Sequence, residues 1–197
     1  MKLLELFSGT KSISKALDNK YEEIISVDIL NKNNPTFCCN ILLWDYKQYP
    51  PNYFNAIWAS PPCTEYSKIL FSHPDRPRDL ELANKIVLRT IEIIDYFKPD
   101  KWFIENPQTG LLKDQYFMLG KPFYDIDYCM YSNWGYRKRT RIWTNKDNFI
   151  PKLCNKKCGN MEGVRHKRSC GNGHYGSITL QEKYRIPEQL IKDLFLD

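Results

Sequence analysis

Long hydrophobic runs are missing from this sequence of 197 residues. No apolar stretch approaches the ~18 residues of a membrane span, and the acidic Glu5 follows closely on Met1, so we expect neither a transmembrane segment nor a signal peptide. Internal repeats and low-complexity linkers are also lacking, and the length suits one domain with a sizeable core. A content of 42% hydrophobic and 14% aromatic residues excludes a disordered chain.

The cysteine count of seven is odd, and no export signal accompanies it. A disulfide framework is therefore not expected, and the sequence predicts reduced thiols in a cytoplasmic compartment. A full G-x-G-x-x-G sequence is absent as well, which argues against a dinucleotide cofactor.

The net charge of +6 is unevenly distributed. Between Arg137 and Arg168 stand eleven basic residues and only two acids, a net charge of +9 that leaves −3 for the rest of the chain. Such a segment is typical of a surface that binds a polyanion such as nucleic acid, although a solvated, solubilising loop would have the same composition.

Short β-branched runs alternate with helical patterns along the chain and predict a doubly wound α/β fold with a mostly parallel sheet. Apolar residues spaced at three and four positions predict a helix over Asp79–Phe97, and Pro187 opens a predicted last helix ending near Phe195. The predicted strands are Leu3–Phe7, Glu23–Ile29, Thr36–Ile41, Phe54–Ala59, Lys101–Glu105, Tyr124–Tyr131 and Thr140–Thr144, with a short helix near Leu111–Leu119.

Ligands of doubly wound sheets bind beyond the carboxyl ends of the strands, so the residues there are the candidates for function. Gly9 opens a helix after the first strand, and Asp28 ends the second, where a carboxylate can accept both hydroxyls of a ribose. Cys63 follows two prolines after the fourth strand. The rigid turn favours a nucleophile in the cleft over an inert buried thiol.

Two further strand ends carry charge. Glu105 ends a buried strand, where it could hold a proton or pair with an arginine. Arg137, Arg139 and Arg141 share one face of the last strand because alternate residues of a strand point the same way, and they require anions such as phosphate or carboxylate.

In this order the motifs resemble those of the cytosine-C5 DNA methyltransferases, in the compact form that phages and large viruses encode. Pro61-Pro62-Cys63 resembles the family's catalytic Pro-Cys motif, Glu105-Asn106 its Glu-Asn motif, and Arg137-x-Arg139-x-Arg141 its Gln-x-Arg-x-Arg motif. The resemblance implies a Rossmann-like sheet that binds S-adenosylmethionine through residues at the strand ends. These are Phe7, Ser8, Gly9, Thr10, Asp28, Ile29, Asn40, Asp45 and Pro61.

The resemblance also implies a mechanism and a partner. Cys63 would add to carbon 6 of a cytosine flipped out of DNA, and Glu105 would protonate N3. Arg139 and Arg141 would grip the cytosine carbonyl, a neighbouring phosphate or Glu105. Lys11 stands where the family usually has a second glycine, Asn40 replaces the usual acid with Asp45 as its substitute, and no segment resembles the tenth motif.

We expect a catalytic and cofactor-binding core over residues 1–144, a small basic insertion over 145–176 in place of the family's recognition domain, and a helical segment over 177–197. The insertion contains enough cysteine and histidine for a structural Zn²⁺, with free loop thiols as the alternative. The predicted ligands are Cys154, Cys158, Cys170 and His166, with His174 as an alternative.

Three functions fit this sequence: a DNA cytosine-C5 methyltransferase, an RNA methyltransferase with the same chemistry, and a catalytically silent nucleic-acid-binding relative. The joint presence of Cys63, Glu105 and the two arginines favours an enzyme. The phage or viral resemblance would place it in a bacterial or host-cell cytosol.

Overall fold

A seven-stranded sheet forms the centre of the computed structural model, which describes residues 1–72, 75–171 and 176–196. The spatial order of the strands is β3-β2-β1-β4-β5-β7-β6. All pairs from β3 to β5 are parallel, and β7 runs antiparallel to both of its neighbours. The strands are β1 Lys2–Leu6, β2 Glu23–Asp28, β3 Phe37–Cys38, β4 Ala56–Ala59, β5 Lys101–Pro107, β6 Phe123–Asp127 and β7 Arg139–Thr144.

Helices cover both faces of this sheet, which confirms the predicted doubly wound α/β fold. They are α1 Ser12–Leu17, α2 Leu80–Phe97, α3 Leu180–Tyr184 and α4 Glu188–Phe195. The Asp79 side chain caps α2 by accepting a hydrogen bond from Leu82 N, and Lys98 ends the helix in the left-handed conformation. Within the described ranges, no helix is both long and apolar enough to cross a membrane.

Two apolar clusters hold the layers together, one on each face. On one face, Val87, Ile94 and Phe97 of α2 pack against β1, β4 and β5. On the other face, α1 and α4 pack together, and Phe195 of α4 stacks obliquely on Phe103 of β5 with ring centroids 4.7 Å apart.

The structure differs from the sequence-based prediction mainly at short elements. The predicted strand Tyr124–Tyr131 stops at Asp127, because a 3₁₀ turn over Tyr128–Met130 follows it. The predicted helix near Leu111–Leu119 is two 3₁₀ turns, and the strand predicted over Thr36–Ile41 retains two residues. The basic insertion contains a two-stranded hairpin, with β8 Met161–Glu162 and β9 Arg165–His166.

Candidate active site

The carboxyl ends of β1, β2, β4 and β5 meet at one edge of the sheet, as parallel strands require. Strand β7 runs the other way, so its first residues reach the same edge. The end of β1 at Leu6 and the start of β7 at Arg139, which are far apart in the sequence, thus reach the same edge. This edge is the candidate active site.

Cys63 lies in the turn after β4, and its side chain is half-buried. The turn is fixed to the sheet at several points: Ser60 N donates to Leu6 O, and Trp58 Nε1 donates to Ser60 Oγ at 2.9 Å. The buried Asn106 donates from Nδ2 to the Pro61 carbonyl at 2.9 Å. The Glu-Asn segment of β5 therefore directly supports the turn that presents the thiol.

Glu105 is 5% exposed, and two side chains hold its carboxylate. Tyr128 donates its hydroxyl to Oε1 at 3.2 Å, and Lys138 Nζ lies 3.2 Å from the same oxygen. Both of these described hydrogen bonds end on Oε1, which leaves Oε2 for another partner. Lys138 also donates to the Lys183 carbonyl of α3 at 3.1 Å and lies over the Tyr128 ring.

The electrostatics of Cys63 depend on these two charges. Burial raises the pKa of the Cys63 thiol, Lys138 lowers it, and Glu105 raises it, with an increase as the net result. Burial lowers the pKa of Lys138, but Glu105 and Cys63 outweigh this effect, so its pKa is raised and the ammonium stays charged. Lys138 is therefore the cation that favours a thiolate at this edge.

Arg139 and Arg141 have partners other than Glu105. Arg139 forms a bidentate pair with the fully buried Asp127, at 3.0 and 2.7 Å, and Arg141 forms one with Asp125, at 2.7 and 2.8 Å. The predicted need for anions is met by carboxylates of β6. The expected contact of these arginines with Glu105 is not present, since Lys138 and Tyr128 make the described contacts instead.

The alternation of side chains along β7 explains this arrangement. Glu105 lies opposite Ile142 in the β5–β7 register, whereas Arg141 lies opposite Asn106. Directly paired residues share a face, so Arg139 and Arg141 lie on the other face of the sheet from Glu105. Lys138 alternates with the arginines and points toward Glu105, and the sequence reasoning missed it, although the period of two was a usable signal.

The loop after β1 has the conformation of a glycine-rich turn with only one glycine. Phe7, Gly9 and Lys11 all have positive φ, at 58°, 46° and 56°. Gly9 N donates to Asp28 Oδ2 at 2.8 Å, which joins the end of β1 to the end of β2, while Ser8 is buried beneath the turn. The position where a second glycine is expected therefore does require a left-handed residue, and Lys11 occupies it under strain.

Glu5 is a buried acid that the sequence reasoning did not single out. It lies on β1, is 2% exposed, and accepts hydrogen bonds from Ile13 N at 3.2 Å and Ser14 N at 3.1 Å, and from the Ser14 hydroxyl. Burial raises its pKa to about 7 against the opposing effect of these hydrogen bonds. Lys11 provides no side-chain cap, so Glu5 satisfies the first amides of α1.

Three further residues predicted to bind the cofactor follow β2 and β3, whereas the predicted Pro61 is buried in the turn of Cys63. Ile29 is 65% exposed directly after Asp28. Asn40 Oδ1 accepts a hydrogen bond from Leu42 N at 3.0 Å within its own turn, and Asp45 is exposed at the start of a 3₁₀ turn. An open cleft of about 280 Å³ runs from the glycine loop to α3, and its walls include Thr10, Ser12, Lys15, Glu182 and Arg185.

The Cys/His group differs by one ligand from the predicted set. Cys154, Cys158 and His166 lie together, and the fourth member is the buried Cys129 from the turn after β6. Cys170 lies outside the group, where its Sγ is 3.3 Å from the Arg137 carbonyl. His174 is outside the described residues.

Six of the eleven basic residues in the segment from Arg137 to Arg168 pair with acids that lie outside it. These pairs are Arg137–Asp127, Lys138–Glu105, Arg139–Asp127, Arg141–Asp125, Lys152–Asp193 and Arg168–Glu182. Four exposed basic residues lie on and beside the β8–β9 hairpin, namely Lys156, Lys157, Arg165 and Lys167. Positive charge is thus concentrated at the hairpin rather than along the whole segment.

Comparison with known proteins shows which protein family this chain is similar to. The chain is 38% identical over 215 aligned residues to the "Probable DNA (cytosine-5)-methyltransferase" of Frog virus 3 (isolate Goorha), covering 98% of each protein. No family model matches.

Two solved structures share the fold. The methyltransferase EhMeth of Entamoeba histolytica matches 78% of this chain and 55% of its own, with a TM-score of 0.54 and 21% identity. A candidate DNA modification methyltransferase from an Escherichia coli prophage matches 79% of this chain and 52% of its own, with a TM-score of 0.52 and 14% identity. The chain spans about half the length of these two proteins.

The sheet order and the residues at the strand ends define a doubly wound methyltransferase domain. The match to the viral protein over nearly the full length of both chains is more specific. The chain belongs to the DNA (cytosine-5)-methyltransferase family, as the motifs predicted.

Proposed function

We propose that this protein methylates carbon 5 of cytosine in DNA, with Cys63 as the nucleophile and S-adenosylmethionine as the methyl donor. The observation that carries the proposal is the convergence of a thiol, a buried carboxylate and a half-buried ammonium at the carboxyl edge of the sheet. Cys63, Glu105 and Lys138 come from β4, β5 and the approach to β7.

The residues around Gly9 fit the donor by their chemistry. Asp28 can accept hydroxyl groups of a ribose, because the two backbone amides it binds leave lone pairs on both carboxylate oxygens. Ile29 presents an exposed apolar side chain next to it, which suits the face of an adenine ring. S-adenosylmethionine, when bound, supplies an electrophilic methyl group on a sulfonium sulfur.

The reaction begins at the thiol. The Cys63 thiolate forms a bond to carbon 6 of cytosine, and Glu105 delivers a proton to N3 as the electron pair moves through the ring. Carbon 5 becomes nucleophilic and takes the methyl group. A water molecule takes the proton from carbon 5, the Cys63 thiolate leaves carbon 6, and the N3 proton returns to Glu105, which restores the aromatic ring.

The chain's own residues prepare this sequence of steps. Lys138 favours the thiolate form of Cys63, and together with Tyr128 it fixes Oε1 of Glu105 so that Oε2 is available to N3. Asn106 anchors the turn of Cys63 through the Pro61 carbonyl. Carbon 6 is inaccessible within a duplex, so the cytosine has to be flipped out of the helix. The lysines and arginines of the β8–β9 hairpin provide contacts for the DNA phosphates.

A trapping experiment tests the proposal. DNA containing 5-fluorocytosine stalls the reaction after methyl transfer, because fluorine cannot leave carbon 5 as a proton does. With S-adenosylmethionine we expect a covalent protein–DNA adduct on a denaturing gel. Cys63→Ala should form none, and Cys38→Ser, which changes an exposed cysteine, should form as much as the unchanged protein.

The matching 5-fluorocytosine RNA distinguishes the two polymers. An adduct with RNA alone would replace DNA by RNA as the substrate. No adduct with either polymer would contradict the enzymatic proposal and leave a nucleic-acid-binding relative.

A further inference from the structure

Four side chains form a compact group beneath the basic hairpin. Their ligand atoms, three Sγ and one imidazole nitrogen, all lie within 4.8 Å of one another. Cys154 Sγ is 3.5 Å from Cys158 Sγ, and His166 Nε2 is 3.6 Å from Cys154 Sγ and 3.4 Å from Cys158 Sγ. The fourth member, Cys129, is buried on the sheet side.

The three separations among Cys154, Cys158 and His166 are close to the edges of a zinc-centred tetrahedron. With Zn–S bonds of about 2.3 Å and Zn–N bonds of about 2.0 Å, two sulfurs lie about 3.8 Å apart, and a sulfur lies about 3.5 Å from a nitrogen. Lys156 N donates to Cys154 Sγ at 3.3 Å, a backbone hydrogen bond of the kind that supports a metal-bound thiolate. Three cysteines and one histidine fill all four positions, as in structural rather than catalytic zinc sites.

The surrounding loop has little else to order it. Across positions 145–171 only Phe149, Cys154 and Asn160 are buried, while Ile150 and Val164 are 81% and 80% exposed. The Asn160 side chain donates hydrogen bonds to the Cys129 and Ser132 carbonyls and accepts one from the Gly135 amide. The contacts described between this loop and the rest of the protein are therefore largely polar. A metal ion would supply the stability that a small apolar core cannot.

The group is also connected to the β6–β7 ion pairs. Cys154 N donates to Asp127 Oδ2 at 2.8 Å, and Asp127 is the carboxylate that binds Arg139. We propose that Cys129, Cys154, Cys158 and His166 bind a structural Zn²⁺ that fastens the basic hairpin to the end of β6. The ion joins the hairpin to the strand pair that carries Arg139. This inference does not rest on the methyltransferase activity.

Metal content tests the ligand set directly. Protein purified in reductant without chelator should contain one zinc per chain by mass spectrometry of the metal. Cys129→Ser should lose most of it, whereas Cys170→Ser, a change in the same loop but outside the group, should keep it. Zinc retained by Cys129→Ser but lost by Cys170→Ser would overturn the assignment.

Cobalt provides a readout on the unchanged protein, in case Cys129→Ser does not fold. After zinc is exchanged for Co²⁺, we expect the intense visible bands of tetrahedral cobalt and a thiolate charge-transfer band. Less than about a tenth of a zinc per chain, with no cobalt spectrum from the reduced protein, would refute the site. A Cys154–Cys158 disulfide found by mass spectrometry in protein kept reduced would refute it as well.

Limited proteolysis tests the structural role. Removal of the metal with a chelator should expose the arginines and lysines of the hairpin to trypsin, while far-UV circular dichroism of the sheet and long helices stays largely unchanged. Equal cleavage rates with and without metal would contradict the fastening role even if zinc binds. None of these readouts depends on the adduct assay.

Discussion

The buried carboxyl of Glu5 should make the fold less stable as the pH rises from 5 to 8. Below pH 4.5 the group is protonated in both the unfolded and the folded chain. Between 4.5 and about 7 the unfolded chain releases the proton while the folded chain retains it, so stability falls through this window and levels off above it. A pKa raised from 4.5 to about 7 corresponds to a loss of about 3 kcal/mol.

Glu5→Gln isolates this effect. The amide cannot ionise, but its NH₂ group cannot accept the hydrogen bond from one of the two α1 amides, at a cost of about 1 kcal/mol. The variant should therefore match the unchanged protein to within about 0.5 kcal/mol at pH 5, because ionisation in the unfolded chain has already cost the unchanged protein about 0.8 kcal/mol there. It should be more stable by about 2 kcal/mol at pH 8, because the unchanged protein then bears the cost of a buried charge.

Urea unfolding followed by tryptophan fluorescence at pH 5, 6, 7 and 8, at fixed ionic strength, gives the difference in free energy of unfolding at each pH. Subtracting the two proteins cancels the titration of all other groups. Leu88→Gln, a change at an exposed position of α2 that adds or removes no titratable group, should give a difference that does not vary with pH. A pH-independent difference for Glu5→Gln, or one that favours the unchanged protein as the pH rises, would refute the reasoning.

Two further substitutions test the active-site edge and the loop after β1. Lys138→Met should raise the pKa of Cys63, because the cation that favours the thiolate is lost. Alkylation of Cys63 at pH 7, measured on the Cys63 peptide by mass spectrometry, should slow by about tenfold or more. Lys138→Arg keeps the charge and should stay near the original rate, and equal rates in all three proteins would remove Lys138 from the mechanism. Lys11→Gly should stabilise the protein by about 0.5–1 kcal/mol in thermal unfolding, since glycine adopts the positive φ without strain. Lys15→Gly, within α1, should destabilise it by about 1 kcal/mol, and a loss in both variants would contradict the strain at Lys11.

Sequence patterns were sufficient for the sheet because its strands are continuous apolar runs separated by polar turns, and strand ends in such a fold converge by topology. The ion-pair partners of Arg139 and Arg141 were harder to predict from the sequence. Their partners Asp125 and Asp127 lie within a strand whose register with β7 only the folded structure reveals.

The members of the Cys/His group could also be predicted only in part from the sequence. Cys129 is 25 residues before Cys154, inside a predicted strand, and nothing in its local sequence marks a ligand. It joins the group because β6 ends at Asp127 and the following 3₁₀ turn aims the thiol at the insertion. Cys170 was the natural choice from spacing, but the chain carries it back toward Arg137 instead.

Many basic residues between Arg137 and Arg168 pair with acids elsewhere in the protein. This pairing affects how strongly the affinity for DNA would depend on ionic strength. Counterions are released only by cations that reach phosphates, and four exposed bases lie at the hairpin. Four phosphate contacts give a slope of log K against log salt of about −3.6, whereas all eleven bases would give about −10. Between 50 and 200 mM salt, affinity would fall by about two orders of magnitude rather than about six. The protein's affinity would then depend less steeply on salt than that of a binder using the whole basic segment, and its electrostatic contribution to binding at low salt would be correspondingly smaller.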